Sequence, residues 1–222
     1  MTDTKENLPE NENAAPEKRS LIQQMLRSAR VLSFYVILGV GLLLIVKLVT
    51  QEMIDDAEKS NKLAAFNEVL PASKYDNDPL KDTKQFTNEA LLGSETPVTF
   101  YRARKDGKPV GVIFEAIAPD GYSGKIKILL GVFPDGRISG VRVLHHKETP
   151  GLGDKIELRK SNWILSFNGM KLRDDNAANW RVKKDGGIFD QFTGATITPR
   201  AVVKAVRKAM EFVNQKGDKL YD

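Results

Sequence analysis

Thr193, Thr196 and Thr198 place three hydroxyls within six residues, inside the stretch DQFTGATITP at residues 190–199. Such hydroxyls can cap a helix, and the backbone amides around them can cradle a phosphate. A third chemistry is covalent, with one hydroxyl esterified to a cofactor. Gly194 and Ala195 carry almost no side chain, so a bulky ligand or a modifying enzyme can approach the backbone. Asp190 sets a carboxylate at the entrance. The residues that follow predict a helix, with Thr198 as N-cap, Pro199 at the first helical position and an apolar stripe of Val202, Val206, Met210 and Val213. Thr196 then lies beside the unsatisfied amides and the positive end of the helix dipole. Residue chemistry alone leaves the three readings open.

Other reactive side chains are few. The chain has no cysteine, which removes disulfides, thiol catalysis, zinc-thiolate sites and iron–sulfur clusters. Its two histidines, His145 and His146, are sequence neighbours at the end of an expected strand. Neighbours in a strand point to opposite faces, so the pair reads as solvent-facing and not as a metal site. Redox work would need an organic cofactor. Ser123 lacks the spacing of a nucleophile elbow, the loop RDDN at 173–176 reads as exposed, and Trp163 and Trp180 read as packing residues. Lys and Arg number 34 against 29 Asp and Glu, a net charge of +5. They are scattered among the carboxylates without aromatic interleaving, so no nucleic-acid partner is expected.

The elements that position these residues begin with a membrane anchor. Residues 31–46 carry no charge, and the apolar run continues past Lys47 to Val49. At 1.5 Å per residue such a helix spans about 28 Å, close to the thickness of a bilayer core. The run is longer than a signal-peptide core, starts after 30 residues and is followed by no small-residue cleavage site, which favours an uncleaved anchor. Lys18, Arg19, Arg27 and Arg30 precede it, whereas Glu52, Asp55, Asp56 and Glu58 follow. The basic side stays cytoplasmic, so the C-terminal part is expected across the bacterial inner membrane, in the periplasm. The expected order is a cytoplasmic tail at 1–30, the anchor at 31–50, a helix and linker at 51–96 and an exported domain at 97–217. The polar, aromatic-free residues 1–17 read as disordered.

Within the exported part, residues 51–70 predict a helix stopped by Pro71, with Leu63, Phe66, Val69 and Leu70 on its apolar face. Residues 71–96 read as linker or irregular loop. Three Asp-Gly pairs, in KDGK, PDGY and PDGR, signal hairpin turns between strands at 97–104, 109–118, 124–133 and 137–145. Ile126, Ile128, Leu130 and Val132 share one strand face. The predicted class is α+β, an antiparallel β-meander with helices packed on one face, preceded by the transmembrane helix. After the sheet, Thr149-Pro150-Gly151 and Gly153 break regular structure, and Asp154 is placed to cap the helical turns that carry Ile156, Leu158, Trp163, Ile164 and Phe167.

DQFTGATIT resembles the flavinylation motif of the FMN-binding domains of Rnf/Rsx and sodium-translocating NADH:quinone reductase complexes. In that family a flavin transferase recognises Asp-x-x-Ser/Thr-Gly-Ala-Thr and joins the FMN phosphate to the last threonine as a phosphoester. Asp190, Thr193, Gly194 and Ala195 match the recognition pattern, and Thr196 matches the acceptor. GYSGKIKILLGV at 121–132 resembles a strand region of the same family. ETPGLG at 148–153 resembles its second signature, a loop that lines the flavin, which implies cofactor contacts from Glu148, Thr149, Gly151, Leu152 and Gly153. The resemblance covers roughly residues 20–215. The context of the motif is most similar to the G-subunit family of the Rnf/Rsx electron-transport complex, with the C-subunit family of the quinone reductase as the alternative. It implies a membrane-anchored electron-transfer component of a translocase, carrying covalent FMN and having no enzymatic role alone. Its implied partners are other membrane subunits and, during maturation, the flavin transferase. One span without an intramembrane carboxylate cannot form an ion path, so translocation falls to those partners. From other classes, a flavin-free exported binding module and a flavin-bearing sensor remain.

Overall fold

A computed structural model of the protein describes residues 18–221; the disorder expected at residues 1–17 falls outside them. The chain divides into a unit ending at Glu58 and a compact unit from Lys59 onward. Helix α1 (Lys18–Val69) supplies the whole described part of the first unit. Its large apolar side chains from Leu21 to Ile54 are exposed, and the helix is long and apolar enough to cross a membrane. Side chains that greasy on every face are stable only where lipid replaces water.

The second unit is built on a five-stranded antiparallel meander of strand order β1 (Thr83–Phe86), β2 (Val98–Lys105), β3 (Lys108–Gly121), β4 (Gly124–Val132) and β5 (Ile138–His145). Alternation splits each strand between two cores. Val112, Phe114, Ile126, Ile128 and Leu130 bury one face beneath α3 (Ile197–Lys216), whose Val202, Val206 and Met210 are buried against them. Each such side chain contributes about 1.5–3 kcal/mol. Ile113 and Leu129 point the other way and pack with Phe66, Val69 and Leu70. Helical segments therefore cover both faces of the sheet, where one was expected, because residues 59–69 dock the apolar face that Pro71 terminates. The helix end is closed by the Ser139 hydroxyl, which donates to the Val69 carbonyl at 2.6 Å.

The region expected as a linker contains β1 and the four-residue helix α2 (Glu89–Leu92). β1 escapes sequence reading because TKQF offers one apolar residue; it is an edge strand held by its pairing from Thr83↔Tyr101 to Phe86↔Val98. Asp106 and Gly107 form the β2–β3 hairpin at φ of 51° and 73°. The second Asp-Gly pair is not a turn. A register shift between Ala118 and Gly121 carries β3 past Asp120, and Gly121 pairs with Gly124, so Tyr122 and Ser123 form the tip. Between β4 and β5 the turn closes from the Gly136 amide to the Phe133 carbonyl at 2.9 Å.

Candidate functional site

The sequence folds the threonine cluster around two anchors. Phe192 is buried edge-to-face against Trp163, with ring centroids 5.2 Å apart, and the Trp163 indole donates to the Asp190 carbonyl at 2.8 Å. Between Phe192 and Ala195 the chain turns sharply, the Ala195 amide donating to the Phe192 carbonyl at 3.1 Å. Gly194 takes φ of 80° at the turn's third position, a conformation that costs a side-chain-bearing residue about 1–2 kcal/mol.

Helix α3 then starts two residues earlier than expected. Thr196, not Thr198, is its N-cap residue, and Pro199 stands third in the helix. Thr196 has φ of −78° and ψ of −30°, already helical, and its hydroxyl makes no capping bond. An N-cap side chain reaches back to the first turn from extended backbone, so this geometry leaves the hydroxyl unused by the helix. Thr198 is spoken for: it is buried and donates its hydroxyl to Glu148 Oε2. Thr193 is exposed on the turn. The three hydroxyls are thereby sorted into one in solvent, one buried and bonded to Glu148, and one beside a cavity with no capping bond.

The loop after β5 forms the facing wall. His146 accepts the Glu148 amide at Nδ1 (3.0 Å), which leaves Nε2 to donate to Glu157 Oε1 at 2.8 Å. His146 is thus a bracket and not a solvent-facing residue as its position implied; His145 is exposed. A hydrogen bond from Arg159, helped by His146, holds the Glu157 carboxyl below the usual carboxylate range despite partial desolvation. Asp154 does not cap the turn that follows. It is buried and accepts the Gly151 amide at 2.8 Å, folding the loop back on itself, while Lys160 lies 3.5 Å away. Glu148 joins three segments: its Oε1 accepts the Ser123 amide at 3.0 Å and its Oε2 the Thr198 hydroxyl. Gly153 is the close approach, since a Cβ there would meet Glu148 Cβ and Thr198 Oγ1, each at 2.9 Å.

Together these walls enclose a cavity of about 330 Å³, at the lower end of the small-molecule range. Of the candidates read from the sequence, Glu148, Thr149, Leu152, Gly153, Gly194, Ala195 and Thr196 line it. Gly151 shapes the loop without lining the cavity. Asp190 lies outside it, exposed and paired with Lys183 at 2.5 Å. Sequence reading passed over Tyr122 and Ile197 and gave Thr198 the role of helix cap; all three also line it. Tyr122 had a signal, an aromatic residue at a hairpin tip, obscured by assigning the turn to Asp120-Gly121. From residue 59 on, the exposed large apolar side chains among the described residues are Tyr122, Leu144, Leu152, Ile188 and Ile197. Three of the five rim this cavity, the arrangement expected where a flat apolar ligand covers them.

The FMN-binding domain family matches residues 121–211, from the hairpin tip through most of α3. The chain is 47% identical over 196 residues to the G subunit of an ion-translocating oxidoreductase complex of Vibrio cholerae serotype O1, covering 88% of this chain and 93% of that one. It is 47% identical over 199 residues to the G subunit of Pseudoalteromonas atlantica, covering 90% and 93%. With that of Pseudomonas aeruginosa it shares 48% over 198 residues, covering 89% and 92%.

Proposed function

The chain belongs to the G-subunit family of ion-translocating oxidoreductase complexes, and from that we propose that its FMN is joined through the phosphate to the Thr196 hydroxyl and carries electrons between partner subunits. The observation that carries this reading is the free Thr196 hydroxyl on a cavity where three sequence-distant segments meet. The residues present fit the group. Amides of Ile197 and Thr198 at the start of a 20-residue helix favour a phosphate beside Thr196. Tyr122, Leu152 and Ile197, exposed by 67%, 43% and 45%, offer apolar surface to a ring. Gly194 keeps the approach to Thr196 free of side chain, and its turn is fixed by Phe192. When bound, FMN supplies the electron transfer, which a chain without cysteine cannot draw from an iron–sulfur cluster held by its own thiolates.

Asp190 is proposed to act earlier, in recognition by a flavin transferase. Its exposure and distance from the cavity suit a residue read by another protein and not by the cofactor. A phosphoester tether keeps the flavin from diffusing away on the far side of the membrane. The protein is membrane-anchored through α1, and the basic residues ahead of the span orient it with the N-terminus in the cytoplasm and residues 59–222 in the periplasm.

Replacing Thr196 with Val in the assembled complex tests the role. The variant is expected to co-purify with the membrane subunits and to lose electron flux through them. Normal flux from a T196V complex contradicts the role, and flux that persists after deletion of the whole chain favours a sensor.

A further inference from the structure

The cavity contains one charged side chain. Glu148 is 4% exposed, and both its oxygens act as acceptors, from the Ser123 amide and the Thr198 hydroxyl. No Lys, Arg or His lines the cavity. Arg159 pairs with Glu157, Lys160 with Asp154, and His146 with Glu157 and the Glu148 backbone amide, and His145, Lys147 and Lys155 do not line the cavity. The carboxylate lies close against two glycines. A Cβ on Gly121 would meet Glu148 Oε1 at 2.9 Å, and one on Gly153 would meet Oε2 at 3.1 Å. Glu148 is thus wedged between two backbone segments, held by neutral donors and open to the cavity.

We propose that Glu148 is a fixed negative charge in the cavity wall that lowers the reduction potential of the flavin. The proposal rests on FMN being attached at Thr196. Each electron passed to the ring by a reductant adds negative charge to the cavity, and a buried carboxylate without a paired cation opposes it. A surface charge would be screened by salt; a buried one is screened far less. Two hydroxyl- and amide-type donors hold the carboxylate in place without cancelling its charge. Glu148 thereby tunes the cofactor as a positioning residue does, through the field it holds and not through chemistry of its own. Neutralising it is expected to shift the redox equilibrium on the order of tenfold, which is about 59 mV for a one-electron step.

The test uses full-length wild type, E148Q and E148D, each co-expressed with a flavin transferase and purified in detergent. Peptide mass first establishes flavin on Thr196, and spectroelectrochemical titration then gives the midpoint potential. Gln preserves size and can still accept from Ser123 while donating to Thr198, so E148Q is expected to carry flavin at a more positive potential. E148D keeps the charge and is expected to stay close to wild type. Three results overturn the proposal: an E148Q potential equal to wild type, a shift in E148D as large as in E148Q, or an E148Q chain without flavin, which assigns the carboxylate to building the pocket. A wild-type chain without flavin on Thr196 overturns instead the attachment on which the proposal rests, and the mass reveals this before any titration.

Discussion

Asp82 and Glu148 each accept hydrogen bonds from two residues, and they face different surroundings. Asp82, just before β1, accepts from Arg102 Nε at 2.6 Å and from Arg104 Nε at 2.7 Å, and Arg104 also reaches the Tyr221 carbonyl at 2.5 Å. That network ties the edge of the sheet to the C-terminal residues, and two guanidiniums face its one carboxylate. Glu148 ties the β3–β4 tip, the loop after β5 and the start of α3 through neutral donors, and it opens on a cavity. A carboxylate matched by arginines serves the fold. One left with only dipoles beside a cavity acts on what enters the cavity.

Substitutions can break this contrast. The largest effect is expected from E148A, which strands the buried Thr198 hydroxyl and takes the acceptor from the Ser123 amide. A loss of about 3 kcal/mol and at least a tenfold fall in flavin loading are expected, read by thermal melting and by absorbance of the purified chain. D82N should cost about 2 kcal/mol, or about 4–8 °C in melting temperature, and leave flavin per chain unchanged. Equal loss of flavin from both variants would erase the distinction. G153A forces a Cβ within 2.9 Å of Glu148 and Thr198. It is expected to lower loading several-fold with a smaller effect on melting than E148A. The smallest effect belongs to L152A: Leu152 is 43% exposed, so stability should change by under about 1 kcal/mol, while iodide quenching of the bound flavin's fluorescence should rise.

Acid sharpens the comparison. Burial pushes the Asp82 carboxyl up, but hydrogen bonds and charges of Arg104 and Arg102 outweigh it and hold the carboxyl below its ordinary value. A depressed folded-state pKa contributes stability above the unfolded value, near 3.9, that disappears as pH falls through the folded value. The gap in melting temperature between wild type and D82N should therefore stay constant from pH 7 to about pH 5 and close below about pH 4.

Much of this architecture was legible in the sequence: the anchor from its uncharged apolar run, and four of the five strands and the stripe on α3 from a periodic face that they bury. β1 was not, because an edge strand of polar residues is specified by its partner and not by its own pattern. The second hairpin was misread because a register shift moved the tip from Asp120-Gly121 to Tyr122-Ser123. Local propensity favoured Thr198 as cap, yet a long-range bond to Glu148, 50 residues away in sequence, draws that hydroxyl into the core and starts the helix at Ile197. The proposed site residues were read from motif resemblance. Which hydroxyl faces the cavity depends on contacts between residues 123, 148 and 198, and no single stretch encodes that.

The most direct measurement of the central claim is peptide mass mapping of the full chain co-expressed with a flavin transferase, with a known acceptor domain labelled in parallel. A mass gain of FMN minus one water on the peptide bearing residues 190–199, located at Thr196 and absent from T196V, is the expected result. An unmodified peptide beside a labelled control, or the flavin found on Thr193 or Thr198, would contradict the assignment.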